Sequence, residues 1–145
     1  MKTSLLLLAT SLVSCSPTHN RTANIEVADA WARPAVPGRK TTAAYLTISN
    51  HGRGDDVMIG TSSSNGRAEL HSVSTAGGVM RMRRLDRLVV PAGAKVKLEP
   101  GGTHLMLTEL REPLEPGAVI ELGLSFEKSG ERSATARVRA AGEQM

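Results

Sequence analysis

Thiol sulfur is nearly absent from this chain: Cys15 is the one cysteine in 145 residues. No intrachain disulfide can form, so stability must come from packing, and cysteine chemistry in the body of the chain is excluded. Aromatic side chains are almost as scarce. Trp31, Tyr45 and Phe126 are the only three, which argues against a nucleic-acid surface, where bases stack on aromatic platforms. No Ser/His/Asp or Cys/His arrangement, paired-carboxylate motif or phosphate loop stands out, so the chain does not read as an enzyme. After the first 20 residues no segment is long and apolar enough to cross a bilayer. Acidic residues are outnumbered, 14 against 18, for a formal charge of +4. The cluster Arg81, Arg83, Arg84 and Arg87 suits either an anionic partner or membrane surface, or simply a solvated strand face.

The chain opens on Lys2 followed by a short apolar run, Leu5 to Val13, of signal-peptide length. That run ends in Leu12-Val13-Ser14-Cys15, which resembles the lipobox of bacterial lipoproteins. The resemblance implies a signal peptide over residues 1–14, cleavage before Cys15, and lipidation of Cys15 on its sulfur and new amino terminus. An ordinary secretory signal is the alternative, but it leaves a lone thiol in an exported protein unexplained. Two or three acyl chains hold a protein firmly to a membrane where one does not. Ser16 in place of Asp after the cysteine hints, by the same resemblance, at the outer membrane. Residues 15–23 then read as a small, polar tether, 24–140 as the domain and 141–145 as a short tail.

A mature chain of roughly 130 residues suffices for a single core. From Asn24 onward, short alternating apolar runs are separated by Gly, Pro, Asn and Asp, the pattern of an antiparallel sandwich or barrel. Strands are expected at Ile25–Trp31, Thr42–Ser49, Asp56–Thr61, Ala68–Val73, Val79–Leu85, Lys95–Glu99, His104–Leu110, Val119–Phe126 and Ala134–Val138. No helical period is sustained. The fold class is all-β.

Within that frame one spacing carries chemistry: His71, ten residues, Met82, twenty-one residues, His104, one residue, Met106. Imidazole binds several late transition metals, but thioether sulfur is a soft ligand that favours Cu(I) over zinc, magnesium or calcium. If the four converge they hold a monovalent copper ion; if not, they are two scaffold histidines and two core methionines. Strand parity brings His104 and Met106 to one face, with Leu105 and Leu107 on the other. His71 to Met82 reads as a hairpin. With Ala76-Gly77 as its loop His71 lies opposite Met82; with Gly77-Gly78 Val73 does, and His71 is the diagonal neighbour. Both registers keep His71, Met80 and Met82 on one face and Arg81 and Arg83 on the other. Met80 is thus an auxiliary sulfur. His19, His51 and Met58 are assigned no metal role.

These residues resemble those of the PCu(A)C-type periplasmic copper chaperones. Besides the His/Met spacing, the likeness includes Ala28-Asp29-Ala30-Trp31-Ala32-Arg33, Ala43 to Asn50, Glu69-Leu70-His71, Gly77 to Arg83, Pro100 to Leu107 and Phe126-Glu127-Lys128. The resemblance implies a cupredoxin-like Greek-key β-sandwich of one domain. It further implies one Cu(I) on His71, Met82, His104 and Met106, delivered to the copper centres of cytochrome c oxidase. The partner is then an apo copper acceptor, such as an oxidase subunit or another copper chaperone, met at the periplasmic side of the bacterial envelope. Two departures stand out: Val73 occupies a position where members often carry methionine, and the tail Ala140–Met145 lacks the histidines linked to a second copper in some members. A blue-copper electron carrier needs a thiolate, and none follows Cys15. Copper buffering or resistance in the envelope needs the same ligands without an acceptor, and a metal-free scaffold lipoprotein needs none of them.

Overall fold

The structure, a computed structural model, describes residues 22–143. The expected signal peptide, Cys15 and most of the tether lie outside the described residues. Every regular element within them is a strand: β1 (Ile25–Ala32), β2 (Thr42–Asn50), β3 (Asp56–Ser63), β4 (Arg67–Ala76), β5 (Val79–Arg84), β6 (Leu88–Val90), β7 (Lys95–Leu98), β8 (His104–Thr108), β9 (Val119–Phe126) and β10 (Gly130–Val138). Hydrogen bonding follows the path β5-β4-β8-β2-β1-β10-β9-β3-β6, with β7 pairing β2 beside β8. The path turns at the parallel β1–β10 junction, where Trp31 pairs Arg137 and Ala32 pairs Val138. The result is the expected all-β, cupredoxin-like sandwich.

Alternation builds its core. In β9, Ile120, Leu122, Leu124 and Phe126 are buried while Val119 and Glu121 are exposed. Leu46, Ile48, Leu105 and Leu107 are buried from the other layer, so apolar burial on both inner faces drives the closure. Met58 is a core residue, as expected for a methionine in an apolar run. Two buried polar side chains tie loops to this core. Asn50 donates to the carbonyls of Gly54 and Val90, and its Oδ1 accepts from the N–H groups of Asn24 and Gly52. Asp56 accepts backbone N–H bonds from Val57, Lys128 and Ser129. Burial pushes its carboxyl pKa up, but hydrogen bonds from Ser129, Lys128 and Val57 outweigh that and hold it below the ordinary value.

The observed strands differ from the expected ones at their ends. β6 was not expected, because three residues are too few to show alternation. β8 stops at Thr108, short of Leu110, because Glu109 adopts φ +52°. β10 begins at Gly130 rather than Ala134, continuing its ladder with β9 from Gly130↔Phe126. β4 runs to Ala76, beyond Val73, because it carries one side of a long hairpin.

Candidate metal centre

The hairpin of β4 and β5 turns on Gly77-Gly78, with Ala76 paired to Val79. Both glycines have positive φ, +59° and +77°, as a two-residue primed turn requires. Of the two registers open to the sequence, this one places Val73 opposite Met82 and His71 opposite Arg84. Met82 is therefore the diagonal neighbour of His71, on the same face as Met80.

β8 supplies the second pair. It runs antiparallel to β4 with His71 opposite His104 and Glu69 opposite Met106. The two imidazole centroids are 6.2 Å apart. Met106 is then the other diagonal neighbour of His71, and diagonal neighbours lie within reach of long side chains. Pairing across three strands thus brings all four residues to one patch of one sheet face. Leu105 and Leu107, on the opposite face of β8, are wholly buried.

Hydrogen bonds orient both rings. Glu99, Pro100, Gly101 and Gly102 form a turn in which the Gly102 N–H reaches the Glu99 carbonyl at 3.1 Å. Proline second and a φ of +80° at Gly101 match a type II turn. The Gly102 carbonyl then accepts from His104 Nδ1–H at 3.0 Å. A carbonyl cannot donate, so the His104 lone pair is on Nε2. His71 Nε2 lies 3.2 Å from Glu69 Oε2. The bond from His71 holds the Glu69 carboxyl below its usual range, helped by Arg84 and Arg67 and opposed by burial. An ionised carboxylate only accepts, so His71 carries its proton on Nε2 and its lone pair on Nδ1. That Nδ1 is buried and has no hydrogen-bond partner. A buried, unpartnered lone pair on a sheet face that also carries Met82 and Met106 is a donor suited to a soft cation.

Exposure rises across the patch. His104 is buried and His71 is partly buried, whereas Met82 is 52% and Met80 69% exposed. Core filling does not account for these last two methionines. Among the described residues no three His, Cys, Asp or Glu side chains form a group able to hold a metal, so the sulfurs are needed to complete any ligand set here. The patch is an open face. A groove of about 830 Å³ runs instead along Trp31, Lys97, Pro100 and Arg139 and includes none of the four.

Sequence reasoning missed three neighbours of this patch. Glu69 and Arg84 form an ion pair at 3.4 Å beside His71, and Tyr45 lies with its ring 6.3 Å from that of His104. Glu69 was legible by the same parity that joined His104 to Met106, since it precedes His71 by two positions. Of the arginine cluster, Arg84 also approaches Asp86, and Arg87 pairs Glu127. Arg81 and Arg83 are exposed on the face of β5 away from the histidines. His51 bonds Glu26 at 2.7 Å, a scaffold role; His19 lies outside the described residues.

The family described as "Putative lipoprotein LpqE-like" matches residues 25–138. The Leifsonia xyli subsp. xyli protein named "Putative lipoprotein Lxx21020" is 36% identical over 104 residues, 70% of this chain and 61% of that protein. The chain spans about three fifths of the length of the curated relatives it matches. Among solved structures, the copper-bound PCuAC domain from PmoF2 superposes with a TM-score of 0.67 at 26% identity, covering 80% of this chain and 92% of that domain. The CuI-DR1885 structure from Deinococcus radiodurans follows with a TM-score of 0.59 at 27% identity, covering 81% and 80%. From residue 25 to residue 138, then, the chain belongs to the LpqE-like lipoprotein family, and its domain is of the PCuAC copper-chaperone type.

Proposed function

We propose that this protein is a copper carrier of the bacterial envelope that holds one Cu(I) through His71, Met82, His104 and Met106. One observation carries the reading: His71 stands opposite His104, with Met106 and Met82 diagonal to it on the same face. The likeness to copper-bound PCuAC domains supports it. So does the donor chemistry, because thioethers and imidazoles suit Cu(I) and avoid the disulfide hazard of a thiolate site in an oxidising compartment. Glu69 and the Gly102 carbonyl act from outside the ligand set, each fixing one ring and its tautomer. Neutral donors on an open face hold the ion in exchangeable form, which a carrier needs.

The destination is an apo copper centre, that of cytochrome c oxidase or of another copper chaperone, and the role is delivery rather than catalysis. Lipidation at Cys15, after cleavage of residues 1–14, tethers the carrier to the periplasmic side of a membrane. The outer membrane is favoured over the inner by the residue after the cysteine, Ser16. The tail Ala140–Met145 has none of the histidines linked to a second copper in some family members, so one ion is bound.

A competition titration against a chromogenic Cu(I) chelator tests the site. His104→Ala and Met106→Ala should each lose tight Cu(I) binding while thermal unfolding stays cooperative. Wild-type affinity in either variant overturns the ligand assignment. A deletion strain then distinguishes delivery from buffering: delivery predicts lost oxidase activity at low copper, and buffering predicts sensitivity at high copper alone.

A further inference from the structure

Methionine enters most folds as deformable apolar packing, and Met58, 1% exposed, fits that use. Met80 does not. It is the most exposed large apolar side chain among the described residues, 69%, on a strand whose six residues are all exposed. It sits opposite Thr75, one same-face position beyond the Val73–Met82 pair. Packing gives no reason for a thioether there.

Distance decides what that thioether could do. Strand residues rise about 3.3 Å each, so Thr75 lies roughly 13 Å along β4 from His71, and Met80 with it. That is beyond the reach of one methionine side chain to an ion held between the two histidines. Met82 is different: it lies diagonal to His71, and about 7 Å along β5 from Met80. Met82 can therefore share an ion with the histidines or with Met80, and Met80 can share one only with Met82. Along this face the donors are ordered from buried His104, through His71 and Met82, to exposed Met80.

Resting on the copper-carrier reading above, we infer that Met80 is a hand-over ligand: Cu(I) moves outward along the hairpin to Met82 and Met80 before a soft donor of the acceptor takes it. In the outward step the copper bonds to His71, His104 and Met106 break as a bond to the Met80 sulfur forms, which leaves the ion on the Met82 and Met80 thioethers. In the second step the bonds to Met82 and Met80 break as bonds to the acceptor's thiolate, thioether or imidazole donors form. Copper stays monovalent throughout, no electron moves, and each histidine regains its lone pair without taking up a proton. A ligand exposed at the hairpin face meets the acceptor without opening of the sandwich, so release does not wait on a conformational change.

Met80→Leu tests this, because leucine keeps bulk and apolarity and deletes the sulfur at a position that is 69% exposed. Two quantities are measured: affinity by chelator competition, and the second-order rate at which a dithiol chelator removes Cu(I) in stopped flow. Met80→Leu is expected to bind within about twofold of wild type while transfer slows about tenfold, the equivalent of 1.36 kcal/mol in the barrier. Met82→Leu is expected to lower both affinity and rate. Unchanged transfer in Met80→Leu overturns the inference, as does an affinity loss matching that of Met82→Leu, which makes Met80 a resident ligand. Wild-type protein that retains no Cu(I) overturns the carrier reading itself. Methyl-labelled methionine NMR of the wild-type chain gives a second readout independent of any variant. With substoichiometric Cu(I), the Met80 methyl should broaden by exchange while Met82 and Met106 shift; a Met80 methyl indifferent to copper overturns the hand-over role.

Discussion

Glu69→Ala should weaken Cu(I) binding about ten- to hundredfold, while Glu69→Gln should weaken it less than about tenfold. The reasoning starts at His71, whose Nδ1 is buried without a partner and whose Nε2 faces the Glu69 carboxylate at 3.2 Å. That bond selects the tautomer with its lone pair on Nδ1 and holds the ring's rotation. A hydrogen bond to a charged group contributes about 1.5–3 kcal/mol, and Glu69 is only 21% exposed, so solvent competes for the bond only in part. Lost wholly from the bound state, this range corresponds to roughly ten- to hundredfold in affinity. Alanine also frees the Arg84 guanidinium, now 3.4 Å from Glu69, to sit unneutralised beside a bound cation. Glutamine keeps a carbonyl oxygen that still accepts from Nε2–H, so most of the orienting effect survives. The assay is anaerobic competition with a Cu(I) chelator, with melting temperature as the control for folding. Wild-type affinity in Glu69→Ala refutes the orienting role. Equal losses in Ala and Gln show that charge acts there instead of the hydrogen bond.

Three further outcomes follow from the same structure. The folded-state pKa of Asp56 lies below its unfolded value, so its stabilisation is present above about pH 4 and lost as pH falls through the folded pKa. Asp56→Ala strands part-buried N–H groups and should cost about 1–3 kcal/mol in urea titrations at pH 7; its stability should then vary less with pH below 4 than that of wild type, and identical profiles count against this. Valine at both Gly77 and Gly78 opposes two positive φ angles at about 1–2 kcal/mol each. The β4–β5 arm should lose amide-exchange protection and Cu(I) affinity with little change in global melting, whereas intact binding means the hairpin does not position Met82. Mild peroxide on the metal-free protein should convert Met80 and Met82 to sulfoxides before Met58. Peptide mass spectrometry reads the order, and oxidation of Met58 first counts against it.

Much of the site was legible because strand parity is rigid. A period of two puts His104 with Met106, opposes them to Leu105 and Leu107, and separates Met80 and Met82 from Arg81 and Arg83, whatever the rest of the chain does. The hairpin register was not legible, since Ala76-Gly77 and Gly77-Gly78 both make good turns; only positive φ at both glycines selects between them. The direct opposition of His71 and His104 lay further out of reach. It depends on the β4–β8 ladder, closed by chain segments more than thirty residues apart, and local patterns do not encode long-range register. The ring orientations depend on Glu69 and on the turn at Pro100-Gly101, whose effects on tautomers appear only once the strands are paired.

Among the described residues β5 also ends the sheet, with no strand paired to its outer side. Such an edge is a template on which other chains can grow. Arg81 and Arg83, exposed on this edge strand, make pairing with the same strand of a second copy electrostatically unfavourable. Without them, two copies joined edge to edge would set the sulfurs of one hairpin beside those of the next, and copper would be trapped as a crosslink. The arginines turned away from the histidines thereby disfavour edge-to-edge pairing and leave the His/Met face of the hairpin open.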